Sequence, residues 1–157
     1  MTAKEAIGLF LCDMKVHVLD SNVQFPPVNV AGEHGLLALG GDLSSNRLLA
    51  AYEHGAFPWF MSEDPILWWA PPERAVLPLG DLKVSKSMRN ELNKNRYSVT
   101  MDRAFEAVVR GCQHAPRDGE GTWITEEIIQ AYVELNHLGL AHSVETWQGE
   151  KLVGGLY

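Results

Sequence analysis

The amino-acid sequence predicts a mixed protein of the α/β or α+β class. Apolar residues recur with helical spacing in several segments, alternate as in strands between them, and form a glycine-centred hairpin at the end. Residues 1–35 are an exception, because the prolines of QFPPV (24–28) interrupt regular structure and only KVHVLD (15–20) has a strand pattern. The 157 residues are enough for one ordinary domain or one and a half small ones.

A short amphipathic helix is predicted in the first half of the chain. The side chain of Asp42 or Ser44 can accept hydrogen bonds from the unpaired N–H groups at the start of the helix. Gly55 suits the left-handed backbone conformation that follows the end of the helix. One face of this helix is expected to carry its apolar side chains, which are Leu48, Leu49 and Tyr52.

Strands and helices alternate in the remainder of the sequence. ILWWA (66–70) predicts a strand on which the neighbouring Trp68 and Trp69 point to opposite faces. The further predicted elements are a helix at 86–93, a strand at 96–101, a helix at 104–112 capped by Asp102, a helix at 126–139, and a hairpin across 148–150. A hairpin that ends the chain exposes a strand edge, so we expect additional strands beyond Tyr157.

Charge and cysteine content narrow the classes of function. The net charge of −7 disfavours a protein that coats nucleic acid, yet residues 81–96 contain five cations and only two carboxylates. We call these cations the basic cluster, which consists of Lys83, Lys86, Arg89, Lys94 and Arg96. With two separated cysteines and no apolar run of ~20 residues, the sequence predicts a cytoplasmic protein without disulfide, zinc site or membrane span.

Six phrases together resemble the leucyl/phenylalanyl-tRNA–protein transferases. They are GLLALGGDLS (35–44), GAFPWF (55–60), DPILWWAP (64–71), EGTWIT (120–125), AYVELNHLGLAHSVETW (131–147) and LVGGLY (152–157). Each phrase alone is weak, but all six follow the order and spacing of the family. Residues 1–13 match nothing in it.

The resemblance implies a domain organisation. Residues 1–14 are an unmatched leader, residues 15–72 a small irregular N-terminal domain, and residues 73–157 an N-acetyltransferase-like domain that is incomplete at its C-terminal end. Family members continue past this point, and the polar residues held responsible for peptide-bond formation are expected there. No catalytic residue can therefore be assigned in these 157 residues.

The resemblance also implies the substrates. Leu or Phe would pass from aminoacyl-tRNA to the α-amine of proteins that begin with Arg or Lys, in the N-degron pathway of protein degradation. The ester is already activated, so no cofactor or metal is expected. Trp59 and Trp123 fall in motifs at the family's substrate-binding site, and the basic cluster coincides with its tRNA-binding cations, although Asn90 and Glu91 interrupt it.

Other polar residues are weaker candidates. His142 precedes Ser143 on a predicted strand, so the two side chains point apart and do not form a nucleophile–base pair; His142 is interpreted as structural. Glu145 and Glu120 are possible contacts for the cationic acceptor.

Two other functions stay open. One is an inactive fragment that keeps residual tRNA binding, for which little or no Phe transfer is expected. The other is a coenzyme-A-dependent N-acetyltransferase, which would cradle a pyrophosphate in a glycine-rich turn between a strand and a helix. FPWF and WIT, which acetyltransferases lack, favour the tRNA-dependent enzyme.

Overall fold

A computed structural model describes residues 16–116 and 121–157. The chain divides into two compact units. Among the described residues, the N-terminal unit contains 16–74 and 121–127, and the C-terminal unit contains 75–116 and 128–157. Both units combine helices with a sheet, which confirms the predicted mixed fold class.

The N-terminal unit is built on a four-stranded sheet. Its strands are β1 (His17–Leu19), β2 (Leu36–Gly40), β3 (Phe57–Pro58) and β4 (Leu67–Trp69), in the spatial order β1-β2-β4-β3. β1 runs parallel to β2, and the other two pairs are antiparallel. The sequence predicted β1 and β4. It did not predict β2, whose apolar residues do not alternate with polar ones, or β3, which has only two residues.

Helix α1 (Ser45–Glu53) begins and ends where its capping residues predict. The Ser44 hydroxyl accepts a hydrogen bond from the Arg47 N–H, and Gly55 has φ +80° after the last turn. The predicted apolar face is right only for Leu48, which is buried, and wrong for the other two residues. Leu49 and Tyr52 are 39% and 50% exposed, while the residues that α1 buries are Arg47, Leu48 and Ala51.

Arg47 is a charged residue in the core of the N-terminal unit. Its Nη1 donates to the Asn22 carbonyl at 2.6 Å, and its Nη2 donates to the Asp20 carbonyl at 2.6 Å and to Asp42 Oδ2 at 3.2 Å. Hydrogen bonds from Ser44 and Arg47 hold the pKa of Asp42 below its usual value. Gly41 has φ +75°, and a Cβ there would lie 3.2 Å from the guanidinium, so the turn before α1 is shaped around this side chain.

The C-terminal unit contains a three-stranded antiparallel sheet. Its strands are β5 (Ser98–Met101), β6 (Val144–Gln148) and β7 (Lys151–Leu156), in the order β5-β6-β7. The helices are α2 (Lys86–Asn93), α3 (Phe105–His114) and α4 (Glu126–His137), the last with residues 128–137 in this unit. These elements confirm the predicted strand, helices and final hairpin, which turns at Gly149 with φ +60°.

Helix α3 packs on β7 through small residues. A Cβ on Gly155 would lie 2.7 Å from a Val108 methyl group, so the second glycine of LVGGLY allows the helix to approach the strand closely. Phe105 and Tyr132 both meet the ring of Tyr157 edge to face, at centroid distances of 6.1 and 5.9 Å. The close approach explains why this strand carries glycine where a β-branched residue would otherwise be favoured.

Glu145 is the buried charge of the C-terminal unit. Ser143 Oγ donates to it at 2.5 Å, Thr100 Oγ1 donates to its other oxygen, and the Ala104 N–H donates at 3.4 Å. Burial opposes ionisation, but these donors outweigh it and hold the pKa of Glu145 below its usual value. The suggestion that Glu145 contacts the acceptor is therefore wrong, because internal donors occupy its oxygens and the residue is fully buried.

Asp102 does not cap α3 as predicted. The N-cap residue is Ala104, whose side chain makes no capping hydrogen bond. Asp102 has φ +55° and turns its carboxylate toward the start of β6. Its Oδ1 accepts from the Ser143 N–H at 2.8 Å, and its Oδ2 lies 2.7 Å from His142 Nδ1. These bonds, that to His142 foremost, lower the pKa of Asp102.

Replacing the buried cation should destabilise the N-terminal unit. Arg47→Met leaves the carbonyls of Asp20 and Asn22 without their donor, so we expect a loss of about 2–4 kcal/mol in the free energy of unfolding. Urea denaturation followed by tryptophan fluorescence measures it, because Trp68 is buried in this unit. The exposed Arg89→Met is the control and should change the free energy by less than about 0.5 kcal/mol. Equal effects of the two substitutions would contradict this role of Arg47.

Glu145 should make the stability of the C-terminal unit dependent on pH. Because its folded pKa is lowered, the ionised form stabilises the fold above the ordinary value of 4.5, and this stabilisation disappears as the pH falls through the lowered value. We expect Glu145→Gln to lower Tm strongly at pH 7 and progressively less below pH ~4.5. Glu106→Gln, at an exposed carboxylate, is the matched control. A Tm difference that does not change with pH would exclude this linkage.

Candidate functional site

An aromatic row lies on one face of the β3–β4 hairpin. Phe57 pairs with Trp69, and Pro58 pairs with Trp68. Pro58 and Trp68 are buried, which places Phe57, Trp59 and Trp69 on the opposite face. The predicted opposition of Trp68 and Trp69 is thereby confirmed. We call Phe57, Trp59 and Trp69 the aromatic row.

Trp59 is held in place although half of it faces solvent. Its N–H donates to the Leu67 carbonyl at 3.0 Å, and its own carbonyl accepts from Trp69 Nε1 at 2.7 Å. The two indole rings are tilted by 57° with centroids 5.9 Å apart, and Trp59 is 50% exposed. An exposed indole with a fixed backbone and a fixed neighbour offers a ligand a preorganised apolar surface.

Trp123 belongs to the same compact unit as Trp59. It lies on the short segment 121–127, which groups with residues 1–74. Ile124 is buried and anchors this segment, while Trp123 is partly exposed and its carbonyl accepts from the Thr125 N–H at 3.0 Å. Neither predicted tryptophan is sealed in a core, so both have surface exposed to solvent. Glu120 lies outside the described residues.

The five cations of the basic cluster are exposed side chains on and around α2, a helix without a buried residue. They differ in their partners. Glu91 pairs with Lys94 at 2.5 Å and with Arg96 at 3.7 Å, and hydrogen bonding from Lys94 lowers the pKa of Glu91. Within residues 16–116 and 121–157, no carboxylate pairs with Lys83, Lys86 or Arg89. The first three members are therefore the ones available to an anion.

An open cleft of about 540 Å³ lies in the N-terminal unit. Residues from 28–33, 54–55 and 70–74 line it, including Glu33, His54 and Arg74. Sequence reasoning missed Arg74, because an isolated arginine after two prolines carries no motif. It also missed Phe57 and Trp69 as partners of Trp59, since strand β3 is too short to be predicted.

Neither a metal site nor a membrane helix is found in the described part of the chain. No group of three His, Cys, Asp or Glu side chains in those residues could hold a metal ion. Among the same residues, no helix has the length and hydropathy needed to cross a bilayer.

Comparison with known proteins identifies related sequences. A family sequence model described as leucyl/phenylalanyl-tRNA protein transferase matches residues 76–157, and the model of that family's N-terminal domain matches residues 41–72. Three relatives carry the name leucyl/phenylalanyl-tRNA–protein transferase. The relative from Flavobacterium psychrophilum is 52% identical over 90% of this chain and 68% of its own length. Those from Pseudoalteromonas atlantica and Syntrophotalea carbinolica are each 51% identical, over 88% and 92% of this chain and 60% and 63% of their own lengths.

Proposed function

The chain belongs to the leucyl/phenylalanyl-tRNA–protein transferase family, and we propose that it takes part in moving Leu or Phe from aminoacyl-tRNA to proteins. The acceptor is the α-amine of a protein that begins with Arg or Lys, which marks that protein for degradation in the cytoplasm. The chain spans 60–68% of the length of the relatives compared. The activity of a whole family member is therefore proposed for this chain.

The reaction is aminolysis of an ester. The acceptor nitrogen forms a bond to the aminoacyl carbonyl carbon, the bond from that carbon to the ribose oxygen breaks, and the amine proton passes to the leaving hydroxyl through a base. The free energy of the ester drives the step, so the protein contributes positioning, proton transfer and stabilisation of the oxyanion. We assign no residue of this chain to the base.

The half-exposed indole of Trp59, on a backbone fixed by hydrogen bonds to Leu67 and Trp69, is the observation that carries the proposal. An indole face stacks on an adenine or walls an apolar side chain that is not branched at Cβ, and the 3′ end of Leu- or Phe-tRNA presents both groups. Trp123, partly exposed in the same compact unit, offers a second indole. The basic cluster suits the phosphates of the acceptor stem, which attract cations irrespective of sequence.

Removal of either indole should weaken the interaction with aminoacyl-tRNA. Stacking is worth ~1–3 kcal/mol per base, so Trp59→Leu and Trp123→Leu should each raise the Kd for Phe-tRNA by about 5- to 140-fold. Filter binding of labelled Phe-tRNA to the chain measures this. Leu49→Ala removes a comparably exposed apolar side chain from the same unit and should leave Kd unchanged. Unchanged binding in both tryptophan variants would overturn the assignment.

The transfer itself is tested with labelled Phe-tRNA and a peptide that begins with Arg. The proposed reaction is supported if the peptide gains labelled Phe from Phe-tRNA and gains no acetyl group when acetyl-coenzyme A is supplied instead. Specific binding without transfer supports the non-catalytic alternative, in which the chain contacts tRNA only. Transfer from acetyl-coenzyme A instead would support an N-acetyltransferase and contradict the proposal.

Salt dependence separates the unpaired cations of the basic cluster from the paired ones. If Lys86 and Arg89 each neutralise a phosphate, their joint replacement by Gln should reduce the slope of log K against log salt by about 1.8 for a duplex stem. Joint replacement of Lys94 and Arg96 by Gln removes the same formal charge, but Glu91 already pairs with both, so a smaller reduction is expected. Equal reductions would indicate that total charge alone governs binding.

A further inference from the structure

The open cleft of about 540 Å³ in the N-terminal unit is a separate surface from the aromatic row, because none of the three rings of that row lines it. Three segments form its walls, namely 28–33, 54–55 and 70–74. Its volume lies within the range of about 300–1,000 Å³ that small-molecule sites occupy. The proposed function assigns no ligand to this cleft.

Backbone contacts hold the walls of the cleft in place. Gly35 has φ +87°, and a Cβ there would lie 2.6 Å from Pro71 Cα, so glycine permits the close approach of two of the segments. The Gly35 carbonyl accepts a hydrogen bond from the Ala70 N–H at 2.7 Å. Arg74 joins the third segment, since its Nη2 donates to the Gly55 carbonyl. The cleft is therefore formed before a ligand arrives, which lowers the entropic cost of binding.

Two unpaired charges of opposite sign line the cleft. They are Glu33 and Arg74, and both side chains are exposed. None of the ion pairs found in the part of the chain that the structure describes involves either residue, so they do not pair with each other. Arg74 is also fixed, because its Nε donates to the Pro71 carbonyl at 3.4 Å and its Cζ lies 5.8 Å from the Phe57 ring centroid. The guanidinium can therefore bind an anion with little further loss of side-chain freedom.

The charge around the cleft disfavours a ligand of either single sign. The described residues of this unit, 16–74 and 121–127, contain nine Asp or Glu residues and only two arginines, of which Arg47 is buried. Such a surface repels a polyanion at long range, while the fixed guanidinium of Arg74 repels a cation inside the cleft. A zwitterion has no net charge and can pair with Glu33 and Arg74 at the same time.

We propose that this cleft binds a small zwitterion with an apolar side chain, with the ligand's ammonium on Glu33 and its carboxylate on Arg74. A free α-amino acid and a dipeptide share this chemistry. The apolar part of the ligand would contact the apolar side chains that line the cleft, which are Val28, Ala31, Ala70, Pro71 and Pro72. A mostly apolar wall with a few fixed polar groups is the usual composition of a small-molecule site.

The experiment follows amide chemical shifts of the isotope-labelled whole chain by NMR, during titration with the dipeptide Ala-Val and with free L-valine. Neither probe contains a nucleotide or begins with Arg or Lys, so the result does not depend on the proposed function. Saturable shifts are expected within 28–33, 54–55 and 70–74. The probe with the lower Kd distinguishes a peptide ligand from a free amino acid.

Blocked dipeptides and matched variants test each charge separately. Glu33→Gln should raise the Kd of Ala-Val by about 2- to 5-fold, as for an exposed ion pair, and should not raise that of N-acetyl-Ala-Val. Arg74→Gln should raise the Kd of Ala-Val by at least as much, and should not raise that of Ala-Val amide. Glu63→Gln is the same charge change at an exposed residue that does not line the cleft, and it should alter no Kd.

Other results would overturn the inference. It fails if neither probe gives saturable shifts, or if the shifts concentrate on Trp59 and Trp69 instead of the cleft. It also fails if both blocked dipeptides bind as tightly as Ala-Val, since neither charge would then be recognised. If Arg74→Gln weakens all three peptides equally and lowers Tm, the arginine only fastens its segment to Gly55. If Ala-Val binds as expected and Phe-tRNA does not bind, the inference stands and the proposed function fails.

Discussion

The N-terminal unit depends on the hydrogen bonds of a buried guanidinium. Arg47 reaches from α1 to the carbonyls of Asp20 and Asn22, just after β1, and to Asp42, just before the helix. A buried charge without partners would destabilise the fold. The arginine can therefore be buried only when its three partners are in place. Through this contact α1 is set against the sheet, and its C-terminal Gly55 turn leads directly into β3 and the aromatic row.

The C-terminal unit contains a buried charge of the opposite sign. Glu145 is enclosed by donors from β5, from the residue before β6 and from the start of α3, so one carboxylate ties together elements distant in sequence. Trp147 Nε1 donates at 2.8 Å to the same Thr100 hydroxyl, which extends the network along the sheet. Both units thus use a buried, hydrogen-bonded charge to specify how their elements pack, and the oxygen or Nη atoms that make these bonds are occupied by partners within the unit.

The groups left for ligands are of two kinds and are segregated by unit. Indoles and one fixed arginine are presented by the acidic N-terminal unit, and unpaired lysine and arginine side chains by α2 and the segment before it. A ligand with a flat, partly apolar end and a highly charged body would satisfy both. An aminoacyl-tRNA has this character, which is why the family membership and the surface chemistry support the same proposal.

The sequence by itself determined the family, the mixed fold class, the four helices and the hairpin, and it singled out Trp59 and Trp123. Such features are local, since caps, periodicity and short motifs act over a few residues. The tertiary structure alone decided which faces are buried: Arg47 and not Leu49 turns inward on α1, and Asp102 binds His142 and Ser143 rather than capping α3. The physical reason is distance along the chain. Two of the three partners of Arg47 lie 25 and 27 residues away, and His142 and Ser143 lie 40 and 41 residues from Asp102, so no local pattern encodes the energy that these contacts supply.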